Sequence, residues 1–256
     1  MNGILLIDKP AGWTSHDVVA KVRGILRYQA KSQKLKAQSQ NSGLSARDFQ
    51  LSARGAKLRI GHTGTLDPFA TGLLILVVGS YTKRASEFSK LDKTYEAEIT
   101  LGATSSTGDK EGKISPLRVV PLKGGSGRVE WPSRKAIEAV LGVFRGEIEQ
   151  TPHKFSAIKV GGQRAYKLAR QGKEVKIEPR KVTVYSLQLV VYRFPKLKIV
   201  TEVSSGTYIR SLAEDIGQKL DTGAYLSALR RTSVGKYQLK DAVSIDNINI
   251  GDIITE

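Results

Sequence analysis

Between Gly61 and Leu74 the chain reads GHTGTLDPFATGLL: three glycines, three threonines, a histidine, an aspartate and a proline ahead of an apolar run. The residue there with chemistry to offer is Asp67. A carboxylate is ionised at neutral pH, so it serves as nucleophile or base without an activating partner. Gly61, Gly64 and Gly72 tolerate backbone angles that other residues avoid, which suits a shaped loop. Pro68 fixes its own φ and biases Asp67 towards an extended conformation. The following LLILVVG is short, apolar and branched, as a buried strand should be. A carboxylate on a rigid loop that feeds into the core is a common mount for a catalytic group. Asp-Pro in a glycine-rich loop is equally an ordinary turn. The loop is no phosphate cradle, because no Gly-Lys-Ser/Thr follows at the required spacing.

Several elements must position that loop. Ile4 to Ile7 reads as a short buried strand, and Lys9-Pro10-Ala11-Gly12 as a turn. Ser15 is placed to cap a helix from His16 to about Arg27, where Val18, Val19, Val22, Ile25 and Leu26 recur at helical spacing. Thr82 to Ser89 reads as a short helix. Lys93 to Leu101 alternates apolar with polar, as a half-exposed strand does. Ser133 is placed to cap a helix carrying Ile137, Val140 and Leu141. Lys181–Phe194 and Leu197–Ser204 read as two long strands paired through Phe194-Pro195. Ser205-Gly206-Thr207 then turns into a helix with Ile209, Leu212, Ala213, Ile216 and Leu220 on one face. Arg210 falls in its first turn, off the apolar stripe, where an arginine is ordinarily at the surface. Tyr95, on a strand, would ordinarily be packing.

Two stretches break the pattern. Residues 28–59 hold seven Lys/Arg against a single Asp, with sparse apolar residues and no firm period. Such a composition buries too little to offset ordering entropy, so a disordered basic arm that settles on phosphates is the expectation. The competing reading is an ordered helical hairpin using Leu44, Phe49 and Leu51. Residues 146–181 hold nine Lys/Arg and four Glu, interleaved with Phe155 and Tyr166. Basic residues among aromatics suit RNA, where phosphates and unstacked bases need different partners. A basic surface hairpin with a helix is the plain alternative. Gly124 to Gly127 reads as a flexible turn.

The chain has 256 residues and a formal net charge of +17. Such an excess favours a polyanion, since each neutralised phosphate releases condensed counterions. There is no cysteine, which removes disulfides, thiolate metal sites and a cysteine nucleophile. No apolar run approaches the ~18–20 residues that span a bilayer. The start, MNGILLIDKPAGW, lacks a basic leader before a long apolar core, so no signal peptide is expected. His16, His62 and His153 are far apart in sequence with no paired spacing, so no metal site is expected. A glycosidase would need two opposed carboxylates, and the loop offers one.

Read as a whole string, GHTGTLDPFATGLL closely resembles the signature of the TruB family of pseudouridine synthases. LIDKPAGWTSHDVV resembles the start of such enzymes, and K-x-Y at Lys93–Tyr95 resembles the element carrying their base-stacking tyrosine. ATSSTGDKEG resembles their T-x-T-x-D-x-x-G loop, and SSGTYIRSLAEDIG their G-T-Y-I-R motif. LSALRRT, from Leu226 to Thr232, resembles their L-R-R segment. The resemblance covers nearly the whole chain, with 28–59 as its clearest departure.

The resemblance implies an α+β pseudouridine synthase fold, a mixed, mainly antiparallel sheet with flanking helices and a central catalytic cleft. It implies that Asp67 is the catalytic carboxylate, that Arg210 ion-pairs with it, and that Tyr95 is the base-stacking platform. His62 would contact RNA near the flipped base, and Leu229 would line the base pocket. Lys83, Lys154 and Tyr166 would contact RNA, the last two within an RNA-gripping insertion at 146–181. Lys9 would either approach the RNA backbone or be a solvated turn lysine. The expected catalytic domain is 1–245, with 246–256 as a tail and no further C-terminal RNA-binding module. The implied substrate is the TΨC stem-loop of tRNA, in the cytoplasm, with a monomeric enzyme and no metal, cofactor or membrane. The alternatives are a guide-dependent synthase that needs protein partners, and a non-catalytic RNA-binding or RNA-folding protein on the same fold. The intact Asp67, Tyr95 and Arg210 set argues against the last.

Overall fold

A computed structural model describes residues 1–40, 58–117, 131–156 and 158–255. In chain order its main elements are β1 (Gly3–Lys9), α1 (Ser15–Gln40), β2 (Ile60–His62), β3 (Thr71–Val78), β4 (Lys93–Leu101), β5 (Ala103–Ser105) and β6 (Ile114–Pro116). There follow α2 (Arg134–Val143), β7 (Gly146–Gln150), β8 (Arg180–Arg193), β9 (Lys196–Val203), α3 (Ile209–Lys219), β10 (Ala224–Val234) and β11 (Val243–Ser244). The chain forms two compact units, 1–89 with 236–256, and 90–235.

In the first unit β1 runs antiparallel to β3, with Gly3 opposite Val78 and Lys9 opposite Gly72. β2 is antiparallel to β3, and β11 is parallel to β1, so the sheet is mixed. Leu73 to Val78 are buried without a break, together with Ile4, Leu5 and Ile7. A strand covered on both faces reads as a continuous apolar run, which is why LLILVV shows no alternation. Helix α1 lays Val18, Val22 and Leu26, each fully buried, on this core.

Helix α1 departs from expectation at both ends. Its start is capped by Thr14, not Ser15: the Asp17 backbone N–H donates to Thr14 Oγ1 at 3.1 Å, and the Thr14 N–H donates to Asp17 Oδ2 at 2.9 Å. This is the reciprocal arrangement of a capping box. Its described part runs to Gln40, so the first part of the basic 28–59 segment is helical where disorder was expected. Lysines and glutamines sustain a helix well, so an absent apolar period did not mean an absent helix. The remainder of that segment, 41–57, lies outside the described residues, as does the expected turn at Gly124–Gly127. Residues 246–255 do not trail free: Ile248 is buried, and Ile4 and Ile254 exchange two backbone hydrogen bonds of 2.9 Å.

In the second unit the strand order is β10-β4-β9-β8-β7, with every neighbour antiparallel. β4 alternates inward and outward from Lys93 to Ile99 as its sequence implies, and is buried on both faces at Thr100 and Leu101. β8 and β9 form the long hairpin expected across Phe194-Pro195. Helix α2 is capped by Ser133, whose Oγ accepts from the Ala136 N–H at 3.2 Å. Helix α3 buries Ile209, Leu212, Ala213 and Ile216. Between β7 and β8 a hairpin of Lys159–Val160 with Gln163–Arg164 leads into a short helix, Ala165–Arg170. The fold is α+β, as the resemblance implied.

Candidate active site

Asp67 opens a β-turn, its carbonyl accepting from the Ala70 N–H at 3.1 Å. Pro68 at the second position presets that turn. The ordinary-turn reading of Asp-Pro is therefore correct for the backbone, and the side chain remains half-exposed. Of the three loop glycines only Gly72 has a positive φ, +100°. The turn is fastened from three sides. The Gly12 N–H donates to the Pro68 carbonyl at 2.8 Å. Ser15 Oγ accepts from the Leu66 N–H at 2.9 Å and lies 3.2 Å from the Leu66 carbonyl. Lys9 Nζ donates to the carbonyls of Trp13, Pro10 and Pro68 at 2.7, 2.9 and 3.2 Å.

Lys9 thus corrects both readings offered for it. It is 0% exposed, neither a solvated turn lysine nor in reach of an RNA phosphate in this structure. An ammonium has three donors, and burial is tolerable when each meets an acceptor. His62 and His16, expected to lie apart, meet edge to face with ring centroids 5.0 Å apart. The cause is Ser15, whose bonds to Leu66 bring the helix start onto the loop. Lys83 is exposed on a 3-10 turn, Gly79–Arg84. Beside it the Arg84 guanidinium lies 4.8 Å from the Tyr81 ring centre.

In the second unit the pairing of β4 with β10 sets Tyr95 opposite Arg231 and Ala97 opposite Leu229. Tyr95 and Leu229 are therefore diagonal neighbours on one face, 7% and 8% exposed. Burial, with the buried Arg231 adding to it, lowers the Lys93 ammonium to about 8.

Arg210, expected off the apolar stripe and ordinarily exposed, is 6% exposed. Its Nη1 donates to the Thr107 carbonyl at 3.0 Å and to Asp109 Oδ2 at 3.3 Å, and its Nη2 donates to the Phe155 carbonyl at 3.1 Å. A planar fork bonded to acceptors on two loops has one orientation only. Asp109 is 3% exposed, so this is a buried ion pair with hydrogen bonds completing it, the form in which such pairs are tolerated. The sequence had placed Asp109 in the T-x-T-x-D-x-x-G-like loop without giving it a role. Its signal was the run of small hydroxyl residues around it: Thr107 Oγ1 donates to Asp109 Oδ1 at 2.6 Å, which orients the carboxylate.

Two further ionisable groups adjoin Arg210. Burial, with Asp215 adding to it, raises the Glu214 carboxyl to about 7. Burial, with Arg210 adding to it, lowers the His153 imidazole to about 4. The two lie 3.9 Å apart, but a neutral histidine makes this no ion pair at neutral pH. Lys154 is exposed beside Phe155, and Tyr166 is half-buried with the Arg170 guanidinium 5.7 Å from its ring centre. Among the described residues no group of three or more His, Asp or Glu is arranged to hold a metal.

Comparison with known proteins gives this geometry a family. The model of the TruB family pseudouridylate synthase N-terminal domain matches residues 51–209, and that of the tRNA pseudouridylate synthase B C-terminal domain matches 210–251. The tRNA pseudouridine synthase B of Mycobacterium bovis is 40% identical over 250 residues, spanning 96% of this chain and 71% of the relative. That of Opitutus terrae is 39% identical over 249 residues, spanning 97% of this chain and 87% of the relative. Among solved structures, one from a Cbf5-Nop10-Gar1 complex is similar with a TM-score of 0.62 and 26% identity. That match covers 96% of this chain but only 53% of the other, so the chain spans about half its length. The chain belongs to the TruB family of pseudouridylate synthases, isomerases that convert uridine to pseudouridine in tRNA.

Proposed function

We propose that this chain isomerises one uridine in the TΨC arm of tRNA, acting as a monomer in the cytoplasm. Asp67 supplies the reacting carboxylate. Arg210, a buried planar cation held by Thr107, Asp109 and Phe155, completes the catalytic set by favouring negative charge on its acceptors. Tyr95 is the platform for the flipped base, with Leu229 beside it. His62, Lys83, Lys154 and Tyr166 contact the RNA. The reaction breaks N1–C1′, turns the base and forms C5–C1′, while the proton on C5 is exchanged for one on N1. Nothing is oxidised or reduced, so the reaction calls on no redox cofactor. The carboxylate acts by attack on the sugar or by taking a proton from it, and both routes use the same oxygen atoms.

The observation that carries this reading is the mounting of Asp67: a half-exposed carboxylate on a turn bonded from three sides. Identity near 40% to tRNA synthases, against 26% to the Cbf5 chain, favours action on tRNA without accessory proteins. Among the described residues no helix is long and apolar enough to cross a membrane. The test is incubation of the purified protein alone with unmodified tRNA, followed by chemical mapping of pseudouridine. One modified position in the TΨC arm is expected. Modification only in another arm, or only after partner proteins are added, would overturn the reading.

A further inference from the structure

Helix α3 begins without a side-chain cap of its own: Tyr208, at the cap position, makes none. Gln150 supplies the missing restraint from another strand. Its Oε1 accepts from the Tyr208 N–H at 2.7 Å, and its Nε2 donates to the Tyr208 carbonyl at 3.0 Å. That carbonyl also accepts the helix's own first bond, from the Leu212 N–H at 3.0 Å. One amide therefore fixes both backbone groups of the residue from which the helix starts. Arg210 sits two residues on.

The restraint continues along the strap after β7. Ser211 Oγ donates to the Thr151 carbonyl at 3.0 Å, and Arg210 Nη2 reaches the Phe155 carbonyl. Phe155 is held in turn by its N–H, which donates to His153 Nδ1 at 3.2 Å. Arg180, opposite Gln150 in the β7–β8 register, places its guanidinium 5.1 Å from the Tyr208 ring centre. Gln150 is 1% exposed and closes an alternating strand at its inward phase, where an apolar residue would be ordinary.

We infer that Gln150 is a positioning residue for the isomerisation: its amide locks the first turn of α3 so that the Arg210 guanidinium keeps one orientation. The inference rests on the reading of Arg210 as part of the catalytic machinery. An uncapped first turn frays readily, and an arginine on it then samples several orientations, which affects the chemical step more than RNA affinity.

The test uses the full chain and unmodified tRNA, in single-turnover and steady-state assays. Gln150→Ala is expected to lower kcat roughly tenfold to a hundredfold with KM within about threefold. Gln150→Glu adds a pH readout. The protonated carboxyl matches the amide, with one donor and one acceptor, whereas the carboxylate faces the Tyr208 carbonyl with no donor. Its turnover relative to wild type is therefore expected to recover as pH falls from about 8 to about 5, the carboxyl's pKa being raised by burial and lowered by the Arg180 guanidinium opposite. In an Arg210→Lys background Gln150→Ala is expected to cost at most about threefold more, since residues acting through one another are non-additive. Should Gln150→Ala not fold, the Glu variant's pH dependence decides. Turnover of Gln150→Ala within twofold of wild type, or a flat ratio for Gln150→Glu across that pH range, overturns the inference. Inactive wild type overturns the functional reading instead.

Discussion

Asp67 and Arg210 are restrained in opposite ways. Asp67 is fixed through its backbone, by a proline, a β-turn and bonds to the Leu66 and Pro68 peptide groups, and its carboxylate is left half-exposed. Arg210, besides the hold on its helix turn, is fixed at the tip of its side chain by a carboxylate and two carbonyls 55 to 103 residues away in sequence. A short reactive group needs its main chain placed. A long flexible one, which carries about 2 kcal/mol of rotamer entropy, needs its tip placed. The first kind of restraint is local and the second is not.

The contrast can be broken most severely at Asp67. Asp67→Asn should retain fold and RNA affinity and lose turnover by on the order of a thousandfold or more, because an amide is neither a comparable nucleophile nor a base. Turnover within tenfold of wild type would sink the mechanism. Next comes the arginine. Arg210→Lys should lower turnover roughly a hundredfold, since a point charge cannot serve acceptors on two loops at once. Asp109→Asn, which keeps an acceptor but removes the charge, should cost roughly tenfold. Equal losses for the two would show that charge, not the fork, is what counts. Both are read by release of the C5 proton from labelled tRNA.

The backbone side is sharpened by Lys9→Met. It leaves the Trp13 and Pro10 carbonyls without the ammonium, and urea melts should show a loss of about 2 kcal/mol. Turnover should fall with it, as the turn under Asp67 loosens. A variant as stable and as fast as wild type would mean that the turn supports itself. The smallest effect concerns Glu214. A carboxyl raised from 4.5 to about 7 in the folded state favours the protonated form, so its share of stability is present at low pH and is lost as pH rises through 7. With a third of the side chain exposed, that loss should be about 1 kcal/mol between about pH 5 and pH 8. Glu214→Gln should remove it, and melts at the two pH values would then differ less than for wild type.

The same contrast explains what the sequence disclosed. The Asp67 loop, the buried run at Leu73–Val78 and the alternating strand at Lys93–Leu101 announce themselves because their determinants are neighbours in the chain. The burial of Arg210 did not, since the helical stripe says only which residues face the main core, and Arg210 is buried by loops. Gln150, and the partner of Asp109, were opaque for the same reason: each acts on a peptide or side chain supplied from far away. Lys9 misled because a lysine beside Pro-Ala-Gly is ordinarily solvated; the Pro10 and Trp13 carbonyls are close in the chain, but only the fold brings up Pro68 and closes the site to solvent. The length of helix α1 was underestimated because its second half is polar and has no stripe to detect.

The burial of Lys9 reaches beyond stability. Amine-directed reagents and acetyl-transferring enzymes need a neutral, accessible nitrogen. All three Lys9 donors are committed to carbonyls and its surface is closed to solvent. Lys83 and Lys154, both exposed, will be labelled in the native protein while Lys9 stays silent. Mass spectrometric detection of an adduct at Lys9 would then report that the loop beneath Asp67 has opened, which makes this lysine a built-in gauge of the integrity of the site.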